Sequence, residues 1–233
     1  MAQAKRLLLI SNSKQFGRGF LDHAEEELRS FLGSISRVLF VPYALKDRDE
    51  YAQIIGGRLL QMGYGLEPIH RAADPRKAVE NAPAIFIGGG NTFRLLKTLY
   101  ENKLLEVIRS RVESGMPYVG SSAGSVVSCP TIRTTNDMPI VEPPSLAALG
   151  LISFQLNCHY LDPDPNSTHM GETREVRLRE FHEENDIPVL GIREGSMLRV
   201  ENGVVVLKGT TGAKMFRRGE TPMEIAPGTV VRC

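Results

Sequence analysis

The sequence predicts an α/β domain in which a mostly parallel, twisted sheet forms the middle of three layers, with helices on both faces. Three observations lead to this class. Over the first 120 residues, short apolar runs bounded by turn residues alternate with longer stretches of helical periodicity. Each intervening stretch is long enough for a right-handed crossover between parallel strands. The composition, 42% hydrophobic and 24% charged over 233 residues, is that of a globular protein, so a single domain over residues 1–233 is expected.

Five apolar runs are predicted to form the strands of this sheet, and the segments between them supply its helices. The strands are expected at 7–11, 37–42, 66–70, 84–88 and 117–120. The helices are expected at 21–32, 48–62, 92–100 and 103–114. Because prolines interrupt the periodicity after residue 130, loops are expected there, followed by a helix at 171–184 and a strand at 188–192. Alternation around Asn202-Gly203 predicts a hairpin at 197–208, which would close the fold as a C-terminal appendage.

Charge and hydropathy exclude several classes of partner. Lys and Arg total 28 against 27 Asp and Glu, so no field of one sign attracts nucleic acid or an anionic membrane. The longest N-terminal apolar run, 7–10, is too short for a secretory signal, and no run reaches the length of a membrane span. The three scattered cysteines, Cys129, Cys158 and Cys233, favour reduced thiols, so a cytoplasmic location is expected.

The segment at 117–127 has the pattern of a nucleophile elbow. A short strand runs into Gly120-Ser121-Ser122-Ala123-Gly124 and then into small residues that can begin a helix. A serine on such a sharp turn needs small neighbours two positions to either side, and the following N–H, here that of Ala123, can stabilise an oxyanion. The alternative is that the glycines allow a tight turn and Ser122 only caps a helix.

A second strand-to-helix junction lies at 85–92, where three glycines precede Asn91 and Thr92, either of which can cap a helix. Phe93 stands where a dinucleotide fingerprint requires its third glycine, and no phosphate-binding loop follows. This junction can supply a second oxyanion donor from a neighbouring strand end, or it is a plain tight turn.

A nucleophilic serine requires a base, and His159 is the best-placed histidine because it ends an apolar stretch before a proline-rich loop. The acid that orients it could be Glu194 or Asp137, and sequence spacing alone does not choose between them. No pattern of metal-ligand spacing occurs, so neither a metal nor another cofactor is expected. The five histidines are His23, His70, His159, His169 and His182.

Four motifs together resemble the peptidase E family of α-aspartyl dipeptidases, which are serine peptidases. These motifs lie at 87–93, 120–124, 130–140 and 171–175, and the similarity covers nearly the whole chain. The resemblance implies a class I glutamine-amidotransferase-like fold and hydrolysis of the peptide bond after an N-terminal aspartate, chiefly in dipeptides. It therefore implies small peptide substrates, with the enzyme acting as a monomer or homodimer.

The resemblance also implies roles for individual residues. The nucleophile falls on Ser122 and the base on His159. The third member of the triad falls on Glu194, while Asp137 matches an aspartate that is also regarded as essential. The chain departs from the family pattern at Ser121 and at Cys158, where tryptophan and proline are common, and these changes bear on the shape of the substrate pocket.

The remaining site residues are expected to bind the transition state or the substrate. The N–H groups of Gly89 and Ala123 would hold the oxyanion. An acidic first residue requires a fixed cation, for which Arg174 and Arg133 are the candidates, since a guanidinium can bind a carboxylate through two hydrogen bonds. Asn91 is expected in the same substrate site.

The same residues are also compatible with two other functions. A related acyl hydrolase, for instance a cyanophycinase-like peptidase acting on β-linked aspartyl chains, would use the same elbow. A non-catalytic binding module would retain the fold and use Ser122 only as a cap. A glutamine amidotransferase is disfavoured because the elbow carries serine where that class has cysteine.

Overall fold

The computed structural model describes residues 5–168 and 170–232, and it contains a seven-stranded and a four-stranded sheet. His169 and Cys233 lie outside the described residues. In chain order the strands are β1 (Leu7–Ile10), β2 (Arg37–Val41), β3 (Gly65–Pro68), β4 (Ile85–Ile87), β5 (Tyr118–Ser121), β6 (Gln155–Cys158), β7 (Val189–Ile192), β8 (Ser196–Glu201), β9 (Val204–Gly209), β10 (Ala213–Phe216) and β11 (Met223–Ile225). The helices are α1 (Glu25–Leu32), α2 (Arg48–Gln61), α3 (Pro75–Asn81), α4 (Thr92–Glu101), α5 (Leu105–Glu113), α6 (Ala123–Val126) and α7 (Arg174–Glu184).

The larger sheet has the order β3-β2-β4-β5-β1-β8-β9, and its first five strands are parallel. These five are the predicted strands, which confirms the α/β class. The smaller sheet has the order β11-β10-β7-β6, with β6 and β7 parallel and the other pairs antiparallel. The sequence pattern did not predict this second sheet.

Helices cover both faces of the larger sheet because its strands bury both sets of alternating side chains. In β1, Leu7 and Leu9 face one apolar cluster, whereas Leu8 and Ile10 face another. The cluster around Leu7 and Leu9 includes apolar side chains of α3, α4 and α5. The cluster around Leu8 and Ile10 includes side chains of α1 and α2. The central strands are therefore shielded from solvent on both sides.

The structure corrects the description of the C-terminal hairpin. β8 and β9 pair antiparallel across Asn202-Gly203, but β8 also pairs along its length with β1. The hairpin therefore extends the main sheet and is not an appendage, because it satisfies the backbone groups along an edge of β1 that would otherwise be unpaired. Within the described residues, no helix combines the length and apolarity that a membrane crossing requires.

Helix α3 was also missed, although a local signal for it exists. Asp74 caps this helix by accepting hydrogen bonds from the N–H groups of Arg76 and Lys77, and Pro75 occupies its first turn. A capping aspartate followed by proline is a common start signal for a helix. Because α3 is only seven residues long, its periodicity is too short to be recognised.

Candidate active site

Ser122 stands on a strained turn between β5 and α6, at the centre of the larger sheet. Its φ of 51° and ψ of −111° lie outside the ordinary regions for an L-residue. A Cβ on Gly120 would lie 2.6 Å from the carbonyl oxygen of Gly124, and a Cβ on Gly124 would overlap the carbonyl oxygen of Ile87. Both glycines are therefore required for the close packing of α6 against the sheet, as in a nucleophile elbow.

Three predicted side chains form a hydrogen-bonded chain. Ser122 Oγ lies 3.0 Å from His159 Nε2, and His159 Nδ1 lies 2.7 Å from Glu194 Oε1. His159 directly follows β6 and Glu194 lies two residues after β7. Because β6 and β7 are parallel neighbours, their carboxyl ends bring the two side chains to the same edge of the smaller sheet. The arrangement can transfer a proton from a serine hydroxyl to an imidazole whose other nitrogen faces a carboxylate.

Ser11 connects the two sheets behind the hydrogen-bonded side chains of Ser122, His159 and Glu194. The sequence did not identify it as a site residue. It follows β1, is fully buried, and its Oγ accepts the His159 N–H at 3.0 Å. The same hydroxyl donates to the carbonyl oxygen of Ile192 at 2.8 Å. His159 has a φ of 53°, an unusual conformation for histidine. Ser11 therefore stabilises the backbone that carries the imidazole, and its only sequence signal was a polar residue at the end of a buried strand.

The base and the acid remain open to solvent. The side chains of His159 and Glu194 are 43% and 53% exposed. The preceding residue, Arg193, is more enclosed and makes two hydrogen bonds each with the carboxylates of Asp162 and Glu224, at 2.6–2.9 Å. This pairing holds the loop that carries Glu194 against neighbouring elements.

Asp137 does not contact His159. Its Oδ2 accepts the Thr92 N–H at 2.7 Å, the Thr92 hydroxyl at 2.5 Å and the Thr135 hydroxyl at 3.2 Å. The carboxylate therefore lies at the start of α4, where the helix dipole favours a negative charge. It also lines the same cleft as Ser122.

This cleft, with a volume of about 430 Å³, opens over the nucleophile. Its polar lining residues include Ser122, His159 and Asp137, and its apolar lining residues include Phe20 and Ile54. The remaining lining residues are Ser13, Lys14, Leu45, Tyr51, Gly89 and Gly90. The cleft can therefore hold a small ligand with both charged and apolar parts.

The two predicted oxyanion donors lie close to the nucleophile. A Cβ on Gly89 would lie 3.1 Å from Ser122 Cβ, so the backbone of Gly89 closely approaches the serine. Ala123 is the first residue of α6, and its N–H has no acceptor among the described residues. Both backbone segments therefore border the position that a carbonyl attacked by Ser122 would occupy.

The predicted substrate-binding residues are more dispersed. Arg174 begins α7, is half-buried, and lines a groove with Asp162 and Asp164 that shares no lining residue with the Ser122 cleft. Burial, with repulsion from Arg177, lowers the pKa of the Arg174 guanidinium, while attraction to Asp137 opposes this change. No carboxylate lies within ion-pair distance of Arg174 in the described part of the chain, so its charge is available.

The other two candidates do not line the Ser122 cleft either. Arg133 is exposed and lines a groove that shares Asp137 with this cleft. The Asn91 side-chain oxygen Oδ1 accepts the Arg94 N–H at 3.0 Å, and its side-chain amide donates to the backbone carbonyl oxygen of Met138 at 2.9 Å. Both polar ends of the Asn91 side chain are therefore engaged in holding α4 and the loop beside it.

Cys158 is buried directly behind the nucleophile. Its Sγ donates to the Ser122 carbonyl oxygen at 3.6 Å, and burial raises the pKa of its thiol well above the usual value. The thiol is therefore protonated and acts in packing. Across residues 5–168 and 170–232, no group of three or more His, Cys, Asp and Glu side chains is arranged to hold a metal.

Comparison with known proteins gives matches over nearly the whole chain. The model of Peptidase family S51 matches residues 7–208. Peptidase E of Streptomyces coelicolor is 55% identical over 223 residues, which are 96% of this chain and 92% of that protein. A Drosophila melanogaster protein named "Probable alpha-aspartyl dipeptidase" is 48% identical over 230 residues, covering 97% and 96% of the two chains.

A solved structure agrees with these matches at the level of the fold. The crystal structure of a peptidase from an acI-B1 actinobacterium has a TM-score of 0.72 at 17% identity, covering 99% of this chain and 98% of that chain. The relatives confirm the resemblance to peptidase E that the four motifs indicated. The chain therefore belongs to peptidase family S51 and is a peptide hydrolase.

Proposed function

We propose that this peptidase is a serine dipeptidase that hydrolyses the peptide bond after an N-terminal aspartate. The observation that carries the proposal is the hydrogen-bonded chain from Ser122 through His159 to Glu194. Ser122 Oγ attacks the scissile carbonyl while His159 Nε2 takes its proton. His159 then returns the proton to the leaving amine, and water hydrolyses the acyl-enzyme by the same route. Glu194 orients the imidazole and stabilises its cation.

We propose that the tetrahedral intermediate is stabilised by backbone groups close to Ser122. The Ala123 N–H lies at the start of α6, where the helix dipole adds to its attraction for an anion. The backbone around Gly89 also lies close to Ser122. In proteases, removal of one such donor typically lowers kcat by about 10² to 10³.

The charges around the cleft support selectivity for an N-terminal aspartate. Such a residue carries an α-ammonium and a β-carboxylate close together. Asp137 offers a negative charge for the ammonium, and Arg174 offers a positive charge for the carboxylate. Asp137 lines the Ser122 cleft and has an oxygen free of the Thr92 contacts, so it pairs with the α-ammonium. Arg174 has no carboxylate partner within the described residues and pairs with the β-carboxylate. The name of the Drosophila relative supports the same selectivity.

We further propose that residues 1–233 form one hydrolytic domain of the class I glutamine-amidotransferase-like fold in the cytoplasm. The elbow at the carboxyl edge of a mostly parallel sheet supports the fold assignment. Cys129 and Cys158 are free and buried, which supports a reducing compartment.

A panel of dipeptides tests the proposal. Wild-type protein should cleave Asp-Leu far faster than Asn-Leu or Leu-Leu, because a substrate without the carboxylate leaves Arg174 unpaired. Ser122→Ala should abolish the activity and also the labelling by a fluorophosphonate. Faster cleavage of β-Asp-Leu would instead favour a cyanophycinase-like enzyme, and equal cleavage of Leu-Leu would contradict an acidic pocket.

A matched pair of variants tests the selectivity. Arg174→Met should lower kcat/KM for Asp-Leu by at least a hundredfold while changing Asn-Leu little, because only the carboxylate substrate loses its partner. Arg133→Met is the control, since Arg133 is exposed whereas Arg174 is half-buried. Retention of the full Asp over Asn preference in Arg174→Met would contradict the assignment of Arg174.

A further inference from the structure

Tyr51 is a buried phenol in the wall of the Ser122 cleft to which the mechanism above gives no role. It lies on α2, is only 6% exposed, and lines the cleft together with Gly89 and His159. Its ring packs edge-on against Phe40, with centroids 5.1 Å apart at 78°. This contact and its burial hold the ring in one orientation.

The Tyr51 hydroxyl lies against the glycine loop. A Cβ placed on Gly88 would lie 2.6 Å from the hydroxyl oxygen. Burial raises the pKa of Tyr51 to about 12, and the nearby Gly89 N–H opposes this rise. The phenol is therefore neutral at physiological pH and keeps its proton. The Tyr51 hydroxyl donates no hydrogen bond to another described residue, and Tyr51 lines the cleft, so the O–H is available to a ligand there.

We propose that the Tyr51 hydroxyl is a direct hydrogen-bond donor to the oxyanion. This inference rests on the proposed function and adds a side-chain donor to it. The hydroxyl lies beside Gly88, and the next residue of the same loop, Gly89, closely approaches Ser122. The hydroxyl therefore borders the same part of the cleft as the Gly89 backbone, where a donor can reach the oxyanion.

The chemistry of the step favours this arrangement. Attack by Ser122 forms the Oγ–C bond and moves the carbonyl electron pair onto the oxygen, which becomes negative. A neutral phenol is a stronger acid than a backbone amide, so its hydrogen bond strengthens more as this charge develops. A donor that gains strength in this way lowers the barrier and therefore acts mainly on kcat.

Tyr51→Phe tests the proposal with Asp-Leu as the substrate. We expect kcat to fall by about 10² with KM changed less than threefold, because the lost bond forms only in the transition state. Tyr64→Phe is the matched control: Tyr64 is also 6% exposed and belongs to the same apolar cluster, but its hydroxyl faces the carbonyls of Arg29 and Gly33. Its kcat should stay within twofold of wild type. Wild-type or higher kcat in Tyr51→Phe would overturn the proposal, since it would mean that the hydroxyl makes no bond to the oxyanion in the transition state.

A second measurement uses the wild-type protein and does not depend on a variant. A fluorophosphonate reacts with Ser122 by forming an O–P bond and releasing fluoride, which leaves a phosphonyl oxygen at the oxyanion position. In a crystal structure of this adduct, Tyr51 Oη should lie within about 3.5 Å of that oxygen. A greater distance would overturn the role of Tyr51, even with full hydrolysis of Asp-Leu. Absence of Asp-Leu hydrolysis in wild type would instead overturn the proposed function, whatever the adduct geometry.

Discussion

The nucleophile and its two partners are held by different means. Ser122 lies in the middle of the seven-stranded sheet, where its N–H donates to the Ile10 carbonyl at 2.9 Å and two glycines exclude any other packing. His159 and Glu194 extend from the smaller sheet, are about half exposed, and depend on side-chain hydrogen bonds. The backbone therefore sets the position of the nucleophile, whereas polar side chains set the orientation of the base. Changes to the backbone packing around Ser122 should therefore damage the fold. Changes to the side chains around His159 and Glu194 should slow the reaction in an intact fold.

The largest effect is expected for Gly124→Ala on the nucleophile side. The new methyl group would overlap the Ile87 carbonyl, so α6 would have to move away from the sheet and take Ser122 with it. We expect loss of measurable activity and destabilisation of about 1 to 3 kcal/mol or more, measured by urea unfolding. The control is Gly57→Ala on α2, where a Cβ meets no atom within 4 Å and should not destabilise. A Gly124→Ala protein with wild-type kcat would show that the elbow tolerates movement.

The second largest effect is a loss of kcat that we expect for Glu194→Gln. In the buried serine protease triad, replacing the acid by its amide lowers kcat by about 10⁴. Glu194 is more than half exposed, so water can partly replace it, and we expect a fall of about 10² to 10³. The melting temperature should not change, because the side chain adds little burial.

Asp137→Asn provides the contrast to Glu194→Gln. Because Asp137 contacts Thr92 and Thr135 and not His159, this variant should raise KM more than it lowers kcat. If Asp137→Asn lost kcat at constant KM while Glu194→Gln stayed near wild type, the roles of the two acids would have to be exchanged.

The difference between the two sheets also explains how much of the molecule could be predicted from its sequence. The parallel strands and the turn at Ser122 have local signatures: an apolar run ends at glycines that permit only one packing. The smaller sheet has no such signature, because β6 is a four-residue run among prolines and its partner β7 lies about thirty residues away. Spacing could not choose between Glu194 and Asp137, since that choice depends on which strand ends become neighbours.

A smaller effect is expected for Ser11→Ala at the junction between the two sides. Removing the hydroxyl leaves the partly buried His159 N–H without its acceptor, and an unsatisfied buried group typically costs about 1 to 3 kcal/mol of folding free energy. The imidazole would also lose its fixed orientation, so we expect kcat to fall about tenfold at constant KM. Ser128→Ala is the control, because Ser128 is equally buried but donates to the Ser125 carbonyl on the nucleophile side. Equal kcat losses in both variants would indicate a general packing effect.

The smallest effect is a pH-dependent one, and it concerns the loop that carries Glu194. Hydrogen bonds from Arg193 lower the pKa of the Asp162 carboxyl below its usual 3.8. A carboxyl whose pKa is lowered in the folded protein adds stability above its unfolded pKa and loses that contribution as the pH falls through the folded value. Asp162→Asn should therefore be less stable than wild type at pH 7, by less than about 1 kcal/mol because the side chain is 43% exposed. The difference should shrink as the pH falls from 3.8 through the lower native pKa, as measured by urea unfolding at each pH.

The control is Asp186→Asn, which removes the more exposed pair with Arg218 and should give a smaller difference in stability at pH 7. A constant difference between Asp162→Asn and wild type from pH 7 to pH 2 would mean that Asp162 acts through its shape and not through its charge.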